Sequence, residues 1–113
     1  MPAEFATILD IVLACRRIGK FLLGVDEASF LLEEEKHWAV ASQLILIGEA
    51  VGRLSDEFRQ ANPEVPWIQY AAMRNRLAHQ YDAINWSLVW ITASTEIPEL
   101  IAFLEPQLPQ ENS

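Results

Sequence analysis

Apolar residues recur three and four apart along most of this chain, and that spacing divides it into helices. Phe5, Ile8, Val12, Cys15, Ile18 and Leu22 form one stripe, so a first helix is expected from Ala3 to about Leu23, ended by Gly24. Asp26 has the character of an N-cap and opens a shorter segment through Phe30, Leu31 and Leu32. The run Glu33-Glu34-Glu35 suits the first turn of a third helix, where the positive end of the dipole favours carboxylates. That helix is expected to run from Glu34 to about Arg59 and to carry two stripes. One is Val40, Leu44, Ile47, Val51, Leu54 and Phe58; the other is Trp38, Ala41, Ile45, Gly48 and Gly52. A helix with a single buried face needs only one. The second stripe, whose Gly48 and Gly52 would let another backbone come close, is expected at a subunit interface, the alternative being a central helix packed on all sides within one bundle. His37, beside Trp38, reads as a surface residue.

Pro63 and Pro66 interrupt the pattern, since neither fits a helix interior, and Pro66 suits the start of a new helix. There Trp67, Tyr70, Met73 and Leu77 share a buried stripe, while Arg74, Asn75, Arg76 and His79 gather toward the C-terminal end. A loop over Asp82-Ala83-Ile84 leads to Asn85, an N-cap for a last helix from Trp86 to about Leu104. Pro98 should disturb that helix by removing the partner of the Ser94 carbonyl. No alternation of the kind strands require is long enough to count. The expected fold is all-α, a bundle of four to five helices in one domain over residues 1–106, with residues 107–113 a flexible tail.

Composition changes this picture little and charge more. With 113 residues, 51% of them hydrophobic and 21% charged, the chain can bury a core without metal or disulfide support. No secretory signal and no membrane-length apolar run is read, and the single Cys15 is expected in the core, so the cytoplasm is the expected compartment. A net charge of −8 excludes a broad nucleic-acid-binding face. Yet between Arg53 and Tyr81 four arginines meet only three acids, so the cations gather around one stretch. A small RNA-contacting cleft is compatible with that distribution.

The stretch is Met73-Arg74-Asn75-Arg76-Leu77-Ala78-His79-Gln80-Tyr81. Arginine offers a planar fork of donors matched to phosphate oxygens, and histidine exchanges protons near neutral pH. At ~100° per residue, however, Arg74 and His79 lie on different sides of a continuous helix. They converge only if the helix loosens after Ala78 or a second subunit completes the site. With one cysteine, two histidines forty-two positions apart and no metal-ligand spacing, no metal is expected, and no cofactor or built-in nucleotide site either. Trp67, Trp86 and Trp90 could stack on bases, but their spacing favours the core.

The motif, Arg, four residues, His, one residue, Tyr, preceded by Pro66-Trp67 and by Gln43-Leu44-Ile45-Leu46-Ile47-Gly48-Glu49-Ala50, resembles the HepT branch of the HEPN superfamily over nearly the whole chain. The resemblance implies an antiparallel, HEPN-like helical bundle that forms a homodimer, and the toxin of a type VII-like HEPN/MNT pair. It implies a metal-independent endoribonuclease leaving a 2′,3′-cyclic phosphate. Its partners would be RNA and an MNT-type nucleotidyltransferase antitoxin, in a heteromeric complex or through adenylylation of Tyr81. The catalytic pair would be Arg74 and His79, with Asn75 supporting. Arg76 is a weaker substrate contact that no motif backs. The competing reading is a non-catalytic helical module or scaffold that docks a nucleotidyltransferase.

Overall fold

The computed structural model describes residues 3–109, and all of its regular elements are helical among those residues. They are α1 (Ala3–Phe21), α2 (Glu27–Leu32), α3 (Glu34–Arg53), α4 (Asp56–Ala61), α5 (Trp67–His79), α6 (Trp86–Ile91) and α7 (Ile97–Leu104). A π-helical turn, Thr92–Glu96, joins α6 to α7, so these two act as one long helix. Four long helices therefore carry the fold, as the pattern predicts. The shortest extent of the molecule is 20 Å, the thickness of two helix layers.

The first boundary follows from local chemistry. Gly24 takes a left-handed φ of 73°, a conformation that glycine adopts without a side-chain penalty, and the chain turns there. Asp26 then caps α2 by accepting from the Ser29 N–H at 2.8 Å. That bond also holds the Asp26 carboxyl below its ordinary pKa.

The third helix departs from expectation. It ends at Arg53 rather than Arg59, because Leu54 adopts an extended conformation and the Ser55 hydroxyl caps a separate short helix by accepting from the Phe58 N–H. Ser55-Asp56-Glu57 is the signal that marks this start: a capping hydroxyl followed by carboxylates at the positive helix end.

At the centre of the bundle, α3 packs on α1 along one side and on α5 along the other. This corrects the expectation that its second stripe is a subunit interface. Ala41 and Gly48 are buried inside one chain, Ile45 is partly buried, and only Trp38 and Gly52 stand exposed. The stripe is mostly covered by the chain's own helices and is not a free subunit face. Val40, Leu44, Ile47 and Val51 fill the other side with Ile8, Ile11, Val12 and Ile18 of α1. Burying each such side chain contributes about 1.5–3 kcal/mol. Cys15 lies in this layer as expected, and burial pushes its thiol up to about 12.

His37 is a second correction. It is buried, its Nε2 lies 2.7 Å from the Phe30 carbonyl, and its ring stacks on Trp86 with centroids 4.3 Å apart. Phe30, wholly buried, also meets Trp90. The tryptophans are thereby used inside the protein: Trp86 and Trp90 close this aromatic cluster, and Trp67 is buried with its Nε1–H donating to the Asn62 carbonyl.

The span Trp86–Gln107 is long and apolar enough to cross a membrane, contrary to the expectation that no such stretch exists. Its apolar residues have another use: Val89, Ala93, Ile97, Leu100 and Leu104 are buried, and α7 packs on α1. Pro98 lacks the N–H that the Ser94 carbonyl would need, and the π turn falls at that point, with the Ile97 N–H bonded five residues back to Thr92. At the junction with the expected tail, Glu105–Gln107 form a 3-10 turn, so the first tail residue, Gln107, still belongs to it, and residues 110–113 lie outside the described residues.

Candidate active site

Trp67, Tyr70, Met73 and Leu77 face the core as the spacing predicts, which fixes the rotation of α5. Arg74 consequently lies against α3. Gly48 makes this possible: a Cβ there would meet Arg74 Cγ and the Tyr70 carbonyl oxygen at 2.9 Å, and Arg74 Cβ closer still. The two backbones approach because position 48 has no side chain.

The guanidinium is held at several points. Nη1 donates to the Asn75 amide oxygen at 3.1 Å, and Nη2 pairs with Glu49 Oε2 at 3.4 Å. Nε is buried with no hydrogen-bond partner among the described residues. The side chain remains 30% exposed, so the fork is held at its two terminal nitrogens while part of it stays open to solvent. Beside it lies an opening of about 460 Å³ whose floor is Gly48 and Gly52 and whose walls include Arg53, Arg74, Asn75 and Glu49. Arg53 is itself paired with Asp10 at 3.3 Å across the exposed surface.

His79 is the last residue of α5 and is exposed; Gln80 caps the helix through its N–H to the Arg76 carbonyl. Arg76 and His79 both lie in the final turn, where the negative end of the dipole favours cations. Tyr81 opens a 3-10 turn, Tyr81–Ala83, and is 64% exposed. Arg76 is exposed, and no ion pair to it forms among the described residues.

The helix does not loosen after Ala78. It is regular through His79, and five steps of ~100° set Arg74 and His79 about 140° apart around its axis. His79 does not line the opening beside Arg74. One chain brings Arg74, Asn75, Glu49 and Arg53 together and leaves His79 and Tyr81 at the helix end.

Two contributors escape sequence reasoning. Gly48 reads as an interface glycine, yet its partner is Arg74 of the same chain. Glu49 is the one carboxylate in an apolar run from Leu44 to Val51, an oddity that marks a side chain with a task. Among the described residues no group of three or more His, Cys, Asp or Glu could hold a metal ion.

The chain is similar over most of its length to proteins named as ribonucleases. A protein of Caldanaerobacter subterraneus subsp. tengcongensis named "Putative RNase TTE0752" is 36% identical over 76% of this chain and 77% of its own. One of Thermococcus cleftensis named "Probable ribonuclease HepT" is 33% identical over 80% and 83%. One of Methanocaldococcus jannaschii named "Putative RNase MJ0125" is 35% identical over 84% and 82%. No solved structure matches. The family model described as ribonuclease HepT-like matches residues 11–106, which include the central helix, the Gly48–Arg74 contact and the whole of the Arg74 to Tyr81 motif, and this all-helical chain belongs to that family.

Proposed function

We propose that this chain is the toxin of a type VII-like HEPN/MNT pair: a homodimeric, cytoplasmic endoribonuclease that cleaves RNA without a metal ion. In this reading an MNT-type nucleotidyltransferase antitoxin restrains it by adenylylating Tyr81. The observation that carries the dimeric site is the regularity of α5. Arg74 and His79 diverge by about 140° on one helix, so a second copy supplies the opposing face.

RNA carries its own nucleophile, the 2′-hydroxyl. Attack on the adjacent phosphorus expels the 5′-oxygen and leaves a 2′,3′-cyclic phosphate and a 5′-hydroxyl. The protein then needs one group to move a proton and one to hold the phosphate charge. His79 is the acid or base, exposed and able to reach an incoming strand. Arg74 is the phosphate clamp: Glu49 and Asn75 fix its direction before substrate arrives, which reduces the ordering cost of binding. Asn75 orients that fork, and Arg76 adds an exposed positive charge near the strand's path.

Tyr81 suits modification because its phenol is 64% exposed two residues beyond His79. Transfer of AMP from ATP joins the phenolic oxygen to the α-phosphorus and releases pyrophosphate. The added phosphodiester is anionic and competes with RNA for the arginine.

Expression without the partner should arrest growth, and His79→Ala should abolish the arrest. Purified protein should cleave RNA in EDTA. With partner, ATP and magnesium, the parent should gain mass in AMP units and Tyr81→Phe should not. Harmless expression of both parent and His79→Ala would favour a scaffold for the nucleotidyltransferase, and activity lost on chelation and restored by a divalent ion would refute the metal-free mechanism.

A further inference from the structure

Two cations line the opening between α3 and α5, and the proposed cleavage uses only Arg74. The other is Arg53, the last residue of α3. It lies five residues beyond Gly48, the position against which Arg74 packs, or about 7.5 Å along the helix. The floor beside the two arginines is Gly48 and Gly52, positions without side chains, and a Cβ at Gly52 would meet nothing within 4 Å. The result is a trough with one guanidinium from each helix on its walls.

Both guanidiniums carry donors that the chain does not use. Of the five N–H donors of Arg53, one makes a hydrogen bond among the described residues, from Nη2 to Asp10. In Arg74 the buried Nε has no acceptor there, which is rare for a buried N–H. Charge points the same way: two arginines face one carboxylate, Glu49, in the lining of the trough, on a chain whose net charge is −8. The existing ion pairs do not compete strongly with an anion. Each engages one nitrogen, at 3.3 Å for Arg53 with Asp10 and 3.4 Å for Arg74 with Glu49. The Arg53 and Asp10 side chains are 56% and 61% exposed, and pairs this exposed contribute little. A phosphate offers the bidentate, charge-assisted contact that both forks lack.

We propose that Arg53 holds a second phosphate of the RNA strand, the neighbour of the phosphate on Arg74, so that the strand runs along the trough between α3 and α5. This rests on the reading of the chain as a ribonuclease and adds a strand path to it. A contact of this kind fixes the strand's position and reads no base. Substrates with a phosphate beyond the scissile one should therefore be cleaved better than a dinucleotide.

Fluorescence anisotropy on the whole protein with a labelled 2′-O-methyl oligoribonucleotide measures binding apart from cleavage, because that strand lacks the nucleophilic hydroxyl. Arg53→Gln should weaken binding about threefold to tenfold and make the dependence of log affinity on log salt shallower by about 0.7, the value for one phosphate contact on a single strand. Arg53→Lys, which keeps the charge, should keep the parent's slope. Lys20→Gln removes a charge from the exposed end of α1 and should also leave the slope near the parent's. Uncharged methylphosphonates placed at one linkage at a time should reveal one whose substitution weakens the parent and has little effect on Arg53→Gln. Equal slopes for the parent and Arg53→Gln, as large a loss in Lys20→Gln, or no linkage coupled to Arg53 overturns the subsite. Cleavage of unmodified RNA separates this from the underlying reading. A parent that binds the strand through Arg53 and leaves RNA intact overturns the ribonuclease reading alone. A parent that cleaves RNA with the rate and salt dependence of Arg53→Gln overturns the subsite alone, and one that neither binds nor cleaves overturns both.

Discussion

Gly48 and Gly52 sit four apart on one helix face, yet an alanine at each should act in opposite directions. At position 48 a methyl would lie 2.9 Å from Arg74 Cγ and from the Tyr70 carbonyl oxygen, and nearer still to Arg74 Cβ. Unstrained carbon contacts need about 3.5–4.0 Å, so α3 and α5 must part by something on the order of 1 Å. Neither the carbonyl nor Cβ can rotate away, because both are fixed to the α5 backbone. Overpacking of this kind costs about 1–3 kcal/mol, against a gain of up to about 1 kcal/mol from replacing a helical glycine by alanine. The balance for Gly48→Ala is a loss of about 1–2 kcal/mol. At Gly52 a methyl meets nothing within 4 Å, so only the helix gain remains and Gly52→Ala should stabilise by about 0.5–1 kcal/mol. Urea unfolding followed by circular dichroism reads both, with the Gly48→Ala midpoint about 1 M below the parent for a typical slope. The same displacement moves the root of the Arg74 fork, so RNA cleavage should fall in the folded Gly48→Ala protein while Gly52→Ala retains it. A Gly48→Ala protein as stable as Gly52→Ala would refute the close approach of the two helices.

Replacing His37 by Ala should cost about 2–3 kcal/mol in urea unfolding, because it removes a buried ring bonded to the Phe30 carbonyl and stacked on Trp86; a loss under 0.5 kcal/mol would return it to the surface. Cys15, with its thiol pushed up to about 12, is about one part in ten thousand thiolate at pH 8, so alkylation of the native protein should be far slower than of the protein in urea, and equal rates would contradict its burial. The Asp26 carboxyl, lowered by the Ser29 N–H, has less affinity for protons folded than unfolded. The stability it contributes is therefore present above the unfolded value near 3.8 and lost as pH falls through the folded one. Asp26→Asn keeps a capping oxygen and should flatten the acid side of a stability profile between pH 5 and pH 2; an unchanged slope would remove Asp26 from the acid response.

The parts of the fold legible in the sequence are those written in local spacing. The buried stripes of α1 and α5, the caps at Asp26 and Asn85 and the break at Pro63 and Pro66 depend on residues a few positions apart. His37 could not be read this way, since its burial depends on Phe30 from one helix and Trp86 from another forty-nine positions on. The glycine stripe of α3 misleads for a related reason: small residues announce a close neighbour without saying which, and the neighbour of Gly48 is α5 of the same chain and not a second subunit. Arg74 and His79 stand out as candidates by type and spacing, and their divergence follows from helix geometry alone. The bonds from Glu49 and Asn75 that aim Arg74 required the packing of α3 on α5.

The π turn at Thr92–Glu96 governs where this chain can tolerate losing a residue. Along α6 and α7 the buried positions Val89, Ala93, Ile97, Leu100 and Leu104 repeat on average every fifteen-quarters of a residue, slightly longer than the α-helical 3.6. A uniform helix would let that stripe drift by about 60° over its length. The wide turn absorbs the surplus, as though one residue had been inserted and stored there. Removing one residue inside the turn converts it to ordinary helix and leaves the flanks in phase. Removing one from Ile97–Leu104 instead swings everything beyond it by about 100°, carrying Leu104 off α1 and into water.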